Sequence, residues 1–162
     1  MLHDRARVLA SIGKHDEAVT DADRMMEFTS DTILRGYYGV DRAMVLALAS
    51  DYEAAVAQAT KALEELEAYG NPRSIGPCYV TAAKVCARAA ALVQADTNRT
   101  PDDRDRLFRE YAASSITMLR SALEAKRPSD QDPLASEEFA VLRDHPEFVA
   151  LLDRKPDASD DK

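Results

Sequence analysis

The chain has no tryptophan, five glycines, two cysteines and only 6% aromatic residues among its 162 positions. Each shortage closes a class. Few aromatic and glycine residues beside abundant alanine argue against a sheet protein and for helices. Cys78 and Cys86 fall two helical turns apart, about 12 Å along one axis, which exceeds the reach of a disulfide. They read as buried free thiols in a reducing compartment. Positive charge is short as well: 21 Lys and Arg stand against 29 Asp and Glu, a net charge of −8. A nucleic-acid binder needs a basic footprint, so nucleic acid is excluded as a partner. No apolar run approaches the ~20 residues that cross a bilayer. The start, Met1-Leu2-His3-Asp4-Arg5, alternates charged with apolar residues and is no signal peptide. The expected location is cytoplasmic, without a membrane partner.

What is present is an echo. Asp4-Arg5-Ala6-Arg7-Val8-Leu9-Ala10 returns as Asp41-Arg42-Ala43-Met44-Val45-Leu46-Ala47, 37 positions later. Ala18, Val19 and Ala22 pair with Ala55, Val56 and Ala59 at the same offset. A period of this length marks a helical repeat array, in which neighbouring units bury one another's apolar faces. Ala83, Val85, Ala87 and Ala89 match Ala43, Val45, Ala47 and Ala49 at an offset of 40, a diverged third copy.

Apolar spacing predicts helices over about 2–12, 15–28, 33–49, 52–68, 77–94 and 101–125. Gly13 caps the first, and a loop from Tyr69 to Gly76 precedes the fifth. Thr100-Pro101-Asp102-Asp103 combines a capping hydroxyl, a proline at the first position and acids at the positive helix end. Met25, Met26 and Phe28 fall near one face of the second helix. Tyr37 and Tyr38 read as filling space between the first two units. Residues 126–135 read as a linker, followed by short helices at 136–143 and 146–153. Phe139, Leu142, Phe148, Leu151 and Leu152 would then cover the last repeat. The tail from Pro156 is predicted to be disordered. The divisions are 1–31, 32–75 and 76–126 for three repeats, 127–154 for linker and cap, and 155–162 for the tail.

These residues resemble the tetratricopeptide repeat family. Ser11-Ile12-Gly13-Lys14-His15-Asp16-Glu17-Ala18-Val19 is similar to that family's inter-helix turn, and Ser50-Asp51-Tyr52-Glu53-Ala54-Ala55-Val56 repeats it with the tyrosine in place. Arg5 and Arg42 replace the family's leucine, Ala22 and Ala59 its phenylalanine, and the closing proline is absent. Leu142-Arg143-Asp144-His145-Pro146-Glu147-Phe148, with Leu151-Leu152, resembles the ending of repeat regions that follow bacterial serine/threonine kinases. The resemblance implies an all-α solenoid of three antiparallel helix pairs plus capping helices. It implies a non-catalytic docking module of a larger signalling protein, binding a protein or peptide in the concave groove. The alternative is a self-association module forming a homodimer. With Met1 almost at the start of the first helix, either upstream sequence has been cut away or that face pairs with another copy.

Transferred by register, the groove residues are His3 and Arg7, Val40 and Met44, and Lys84 and Arg88. The basic ones imply an acidic or phosphorylated ligand. Arg5 and Arg42 admit two readings: a repeated anion contact, or packed stems whose heads pair with neighbouring acids. The histidines His3, His15 and His145 lack metal-ligand spacing, and no serine sits in a nucleophile motif. The expectation is no catalysis, no metal and no cofactor.

Overall fold

The computed structural model describes residues 2–69, 72–125 and 132–154. Among them the protein is all-helical, as the composition predicts, and contains no strand. The α-helices are α1 (Leu2–Ser11), α2 (His15–Glu27), α3 (Thr32–Leu48), α4 (Tyr52–Tyr69), α5 (Pro72–Ala95), α6 (Pro101–Glu124) and α7 (Pro146–Leu152). Two 3₁₀ segments, Pro133–Ala135 and Glu137–Leu142, lie between α6 and α7. The second replaces the α-helix expected at 136–143, and the first lies within the expected linker. The expected tail from Pro156 and most of the linker lie outside the described residues.

Local chemistry sets the ends. Asp31 caps α3 by accepting a 2.9 Å hydrogen bond from the Leu34 amide, and Thr100 caps α6 through the Asp103 amide at 3.2 Å. Helix α1 closes with Gly13 N–H donating to Ala10 O and Lys14 N–H to Leu9 O. Helix α3 closes in the same way, with Ser50 donating to Ala47 and Asp51 to Leu46. Both are Schellman turns, which satisfy carbonyls that the helix leaves unpaired.

Helix α5 starts at Pro72, five residues before the predicted start at Pro77. The Gly76-Pro77 pair reads as a breaker, yet a proline in the second turn removes only one ladder bond. Burial of Ile75, Gly76 and Cys78 overrides that loss.

Each odd-numbered helix from α1 to α5 packs on the helix that follows it, and α2 and α4 pack in turn on α3 and α5. Helix α3 also touches α1 and α5. Small residues set the spacing. Ala6 and Ala18, Ala43 and Ala55, and Ala83 and Ala112 are all fully buried. A Cβ on Gly39 would stand 2.8 Å from Ala62 Cβ, so α3 and α4 are close. Leu66, fully buried against that crossing, contributes about 2–3 kcal/mol.

At the far end Phe139, Leu142, Phe148 and Leu151 are buried against Ala83, Ala87, Ala112, Ile116 and Leu119. The Phe139 and Phe148 rings lie 6.0 Å apart, and Arg120 on α6 pairs with Glu147 on α7. Three expectations need correction. Leu152 and Phe28 are exposed, because they fall on the outer sides of their helix ends. Tyr37 does not fill the space between the first two units: its hydroxyl donates to Ser74 O at 3.1 Å and ties α3 to the start of α5.

Candidate protein-interaction surface

The residues expected to line one groove do not come together. Val40 and Met44 are buried in the central core with Ile75, Cys78 and Val85. They cannot meet a ligand, because α5 packs across the face of α3 that carries them. His3 lies outside the residues whose side chains are described. Arg7 is exposed on α1. Lys84 and Arg88 are half-buried on α5, with α3 standing between them and α1.

Of the two α5 cations, Arg88 is already used by the chain itself. Arg88 Nε donates a 3.0 Å hydrogen bond to Ala47 O in the last turn of α3, a carbonyl that also accepts from Ser50 N–H and lies at the negative helix end, where a cation is favoured. Glu138 in the second 3₁₀ segment feels both Lys84 and Arg88. Its carboxyl is held below the ordinary value, first by the Ser136 hydroxyl hydrogen bond and then, more weakly, by these two cations. An acid of the same chain therefore already feels the two cations that an acidic peptide was expected to meet.

Arg42 resolves toward the architectural reading, and Arg5 does so only in part, its side chain staying 57% exposed against 24% for Arg42. Arg42 Nε donates to Asp23 Oδ1 on α2 at 2.6 Å, and its Nη1 lies 3.4 Å from Gln58 Oε1 on α4. Arg5 Nε lies 3.4 Å from Asp21 Oδ2, and Nη2 lies 4.0 Å from Glu17. Asp21 and Gln58 are themselves equivalent at the 37-residue offset. The repeat thus places a polar side chain on each of these second helices opposite the arginine of the first. In the third unit Ser115 follows Ala112 by the same three positions, and its hydroxyl donates to Ala83 O at 2.8 Å. Sequence reasoning singled out the arginines but missed Asp21, Asp23 and Gln58; the shared offset of Asp21 and Gln58 was the available signal. A shallow cavity of about 290 Å³ lies beside Arg5, Asp16, Glu17, Thr20, Asp21 and Arg24. No cluster among the described residues has the composition of a metal site.

The largest contrast between equivalent positions lies on the outer face of α1. Val45 is 1% exposed and Val85 is 0% exposed, each packed on the preceding unit, whereas Val8 is 58% exposed. Ile12, matching the half-buried Ala49 and the fully buried Ala89, is 62% exposed. Helices α5 and α6, by contrast, are covered by aromatic and leucine side chains of the C-terminal segment. A second exposed group, Phe28, Ile33 and Leu34, sits at the α2–α3 corner. Among the described residues no helix is long and apolar enough to cross a membrane. No family model, curated protein or solved structure matches the chain.

Proposed function

We propose that this chain is a non-catalytic protein–protein interaction module, a short solenoid of three tetratricopeptide-like helix pairs with a C-terminal cap. The sequential pairing of helices, the repeated Schellman turns and the small residues at each crossing support that architecture. The kinase-like ending at Leu142 to Leu152 supports a place inside a larger cytoplasmic signalling protein. The carrying observation for the function is the outer face of α1, where, among the described residues, Val8 and Ile12 are exposed at positions that later units cover more fully. Apolar surface left open beside charged residues marks an interaction site. The partner's acidic character, first assigned to the groove, moves to Arg5 and Arg7 on this helix.

A photo-crosslinking residue at position 8, compared with one at exposed Glu64 on α4, tests the reading in the native host. A discrete protein adduct from position 8 and none from position 64 is expected. No adduct from position 8, or the same products from both sites, defeats it. Self-association is the second reading, favoured by exposed Val149 and Leu152 on α7, which give the far end an apolar edge of its own. Sedimentation as a monomer at all concentrations removes it.

A further inference from the structure

The chain carries its own template for what fits the outer face of α1. Helix α2 presents Val19, Ala22, Asp23 and Met26 along one face, at the i, i+3, i+4, i+7 spacing of a helical stripe. Val19 packs beside Val45 in the cluster that joins the first two units, and Asp23 takes the Arg42 guanidinium at 2.6 Å. Charge at this junction is matched from unit to unit. Where α3 has Arg42, the preceding helix has Asp23; where α5 has Ala82, the preceding helix has Thr60 at the equivalent place. Arg5 repeats Arg42, but its side chain is 57% exposed against 24%, and among the described residues its ion pairs come from α2 alone. The nearest carboxylates are Asp21 at 3.4 Å and Glu17 at 4.0 Å, and Asp21 Oδ2 is buried without a hydrogen-bond partner.

We infer that the outer face of α1 docks an amphipathic helix of another polypeptide, of the α2 type, with small or apolar residues over Val8 and Ile12 and a carboxylate on Arg5. A second copy of this chain is a poorer occupant. Its α2 and α4 stripes are already covered by α3 and α5, and the exposed side of α7 offers Val149 and Leu152 on a seven-residue helix. The inference rests on the reading of α1 as a docking face, and adds the chemistry of what docks.

The test titrates the isotope-labelled full chain with a synthetic peptide of residues 15–29, stapled across the exposed positions 20 and 24 to lower the cost of helix nucleation. Saturable binding with shifts confined to α1 around Arg5, Val8 and Ile12 is expected. Arg5→Glu should weaken it about fivefold, the worth of one well-placed ion pair, and an Asp23→Lys peptide should restore it. Because Arg5→Glu also faces Asp21, Val8→Asp serves as a second variant on the same face and should abolish binding. Absent binding, shifts on α2 and α3 instead of α1, or no charge-swap rescue overturns the inference. A dimer of the chain that buries Val8 and Ile12 overturns it too, in favour of a second copy. Position-8 adducts together with a silent peptide would sink the helix chemistry while leaving the docking face intact.

Discussion

Ser50 holds the same left-handed backbone conformation as Gly13, 37 residues earlier, with φ of 66° against 81°. Each follows the helix end and donates to the carbonyl three residues back. Glycine adopts this conformation without strain, whereas an L-residue is disfavoured there by about 1–2 kcal/mol. Glycine gives back about half of that through its greater freedom in the unfolded chain. Ser50→Gly should therefore stabilise the protein by about 0.5–1 kcal/mol, and Gly13→Ser should destabilise it by a similar amount. Paired thermal melts check the opposite signs.

Gly39 and Gly76 both lie inside helices, and the structure separates their fates. An alanine at either gains up to about 1 kcal/mol of helix propensity. At Gly39 the new Cβ would meet Ala62 Cβ at 2.8 Å, an atom fixed to the α4 backbone that cannot rotate away. Overpacking of that kind costs about 1–3 kcal/mol, so Gly39→Ala should be destabilising on balance. At Gly76 the nearest atom is Ala125 Cβ at 3.4 Å, an ordinary contact. Pro77 follows directly, and a Cβ on the residue before a proline is crowded in the helical conformation, which offsets the gain, so Gly76→Ala should be close to neutral in denaturant titrations.

The 37-residue echo made the architecture legible because it lies in the residues that control helix approach. Ala6, Ala18, Ala43 and Ala55 are small for a geometric reason, and all four are fully buried. Capping chemistry was equally readable at Gly13 and Thr100, where one residue type answers one local need. The groove was not. Register transfer assigns a residue to a face but says nothing of what covers that face, and α5 covers Val40 and Met44. The influence of Lys84 and Arg88 on the Glu138 carboxyl was invisible for the same reason: it arrives from some 50 residues away. Such long-range pairings leave no periodic mark.

Tyr52 ties the second unit to the turn before α6. Its hydroxyl donates to Asp96 Oδ2 at 2.7 Å and accepts from Arg99 Nε at 2.7 Å, and its ring meets Tyr111 edge-on with centroids 6.3 Å apart. The Tyr52 hydrogen bond, followed by the Asn98 amide, holds the Asp96 carboxyl below its ordinary value. A depressed carboxyl stabilises the fold above its unfolded value and stops doing so as pH falls through the folded one. Tyr52→Phe should lower the melting midpoint by about 2–4 °C at pH 7, the worth of one hydrogen bond in a domain of this size. The gap between variant and wild type should narrow below pH 4. A gap independent of pH would place the effect in packing against Tyr111 instead.

The alkaline limb of stability is set from the core. Burial pushes the Cys86 thiol up to about 12, and Cys78 also to about 12 with a smaller push from Asp41. Cys86 further donates to Met118 Sδ at 3.8 Å. A group whose folded value is raised supports the fold fully below its unfolded value and loses that support as pH climbs toward the folded one. The window here opens near 9, the ordinary thiol value, and closes near 12. Within it the unfolded chain binds fewer protons than the folded one, so stability falls with pH, by up to about 1.4 kcal/mol per unit for the deeply buried Cys86. Cys86→Ala should remove part of that slope while lowering stability at pH 7 through the cavity it leaves. The same burial keeps both thiols protonated at neutral pH, and the thiolate is the nucleophile. Labelling by a thiol reagent at pH 8 should therefore proceed at the rate of unfolding. Fast labelling of the native protein would show that α5 opens locally, which the packing of Cys86 among fully buried neighbours argues against.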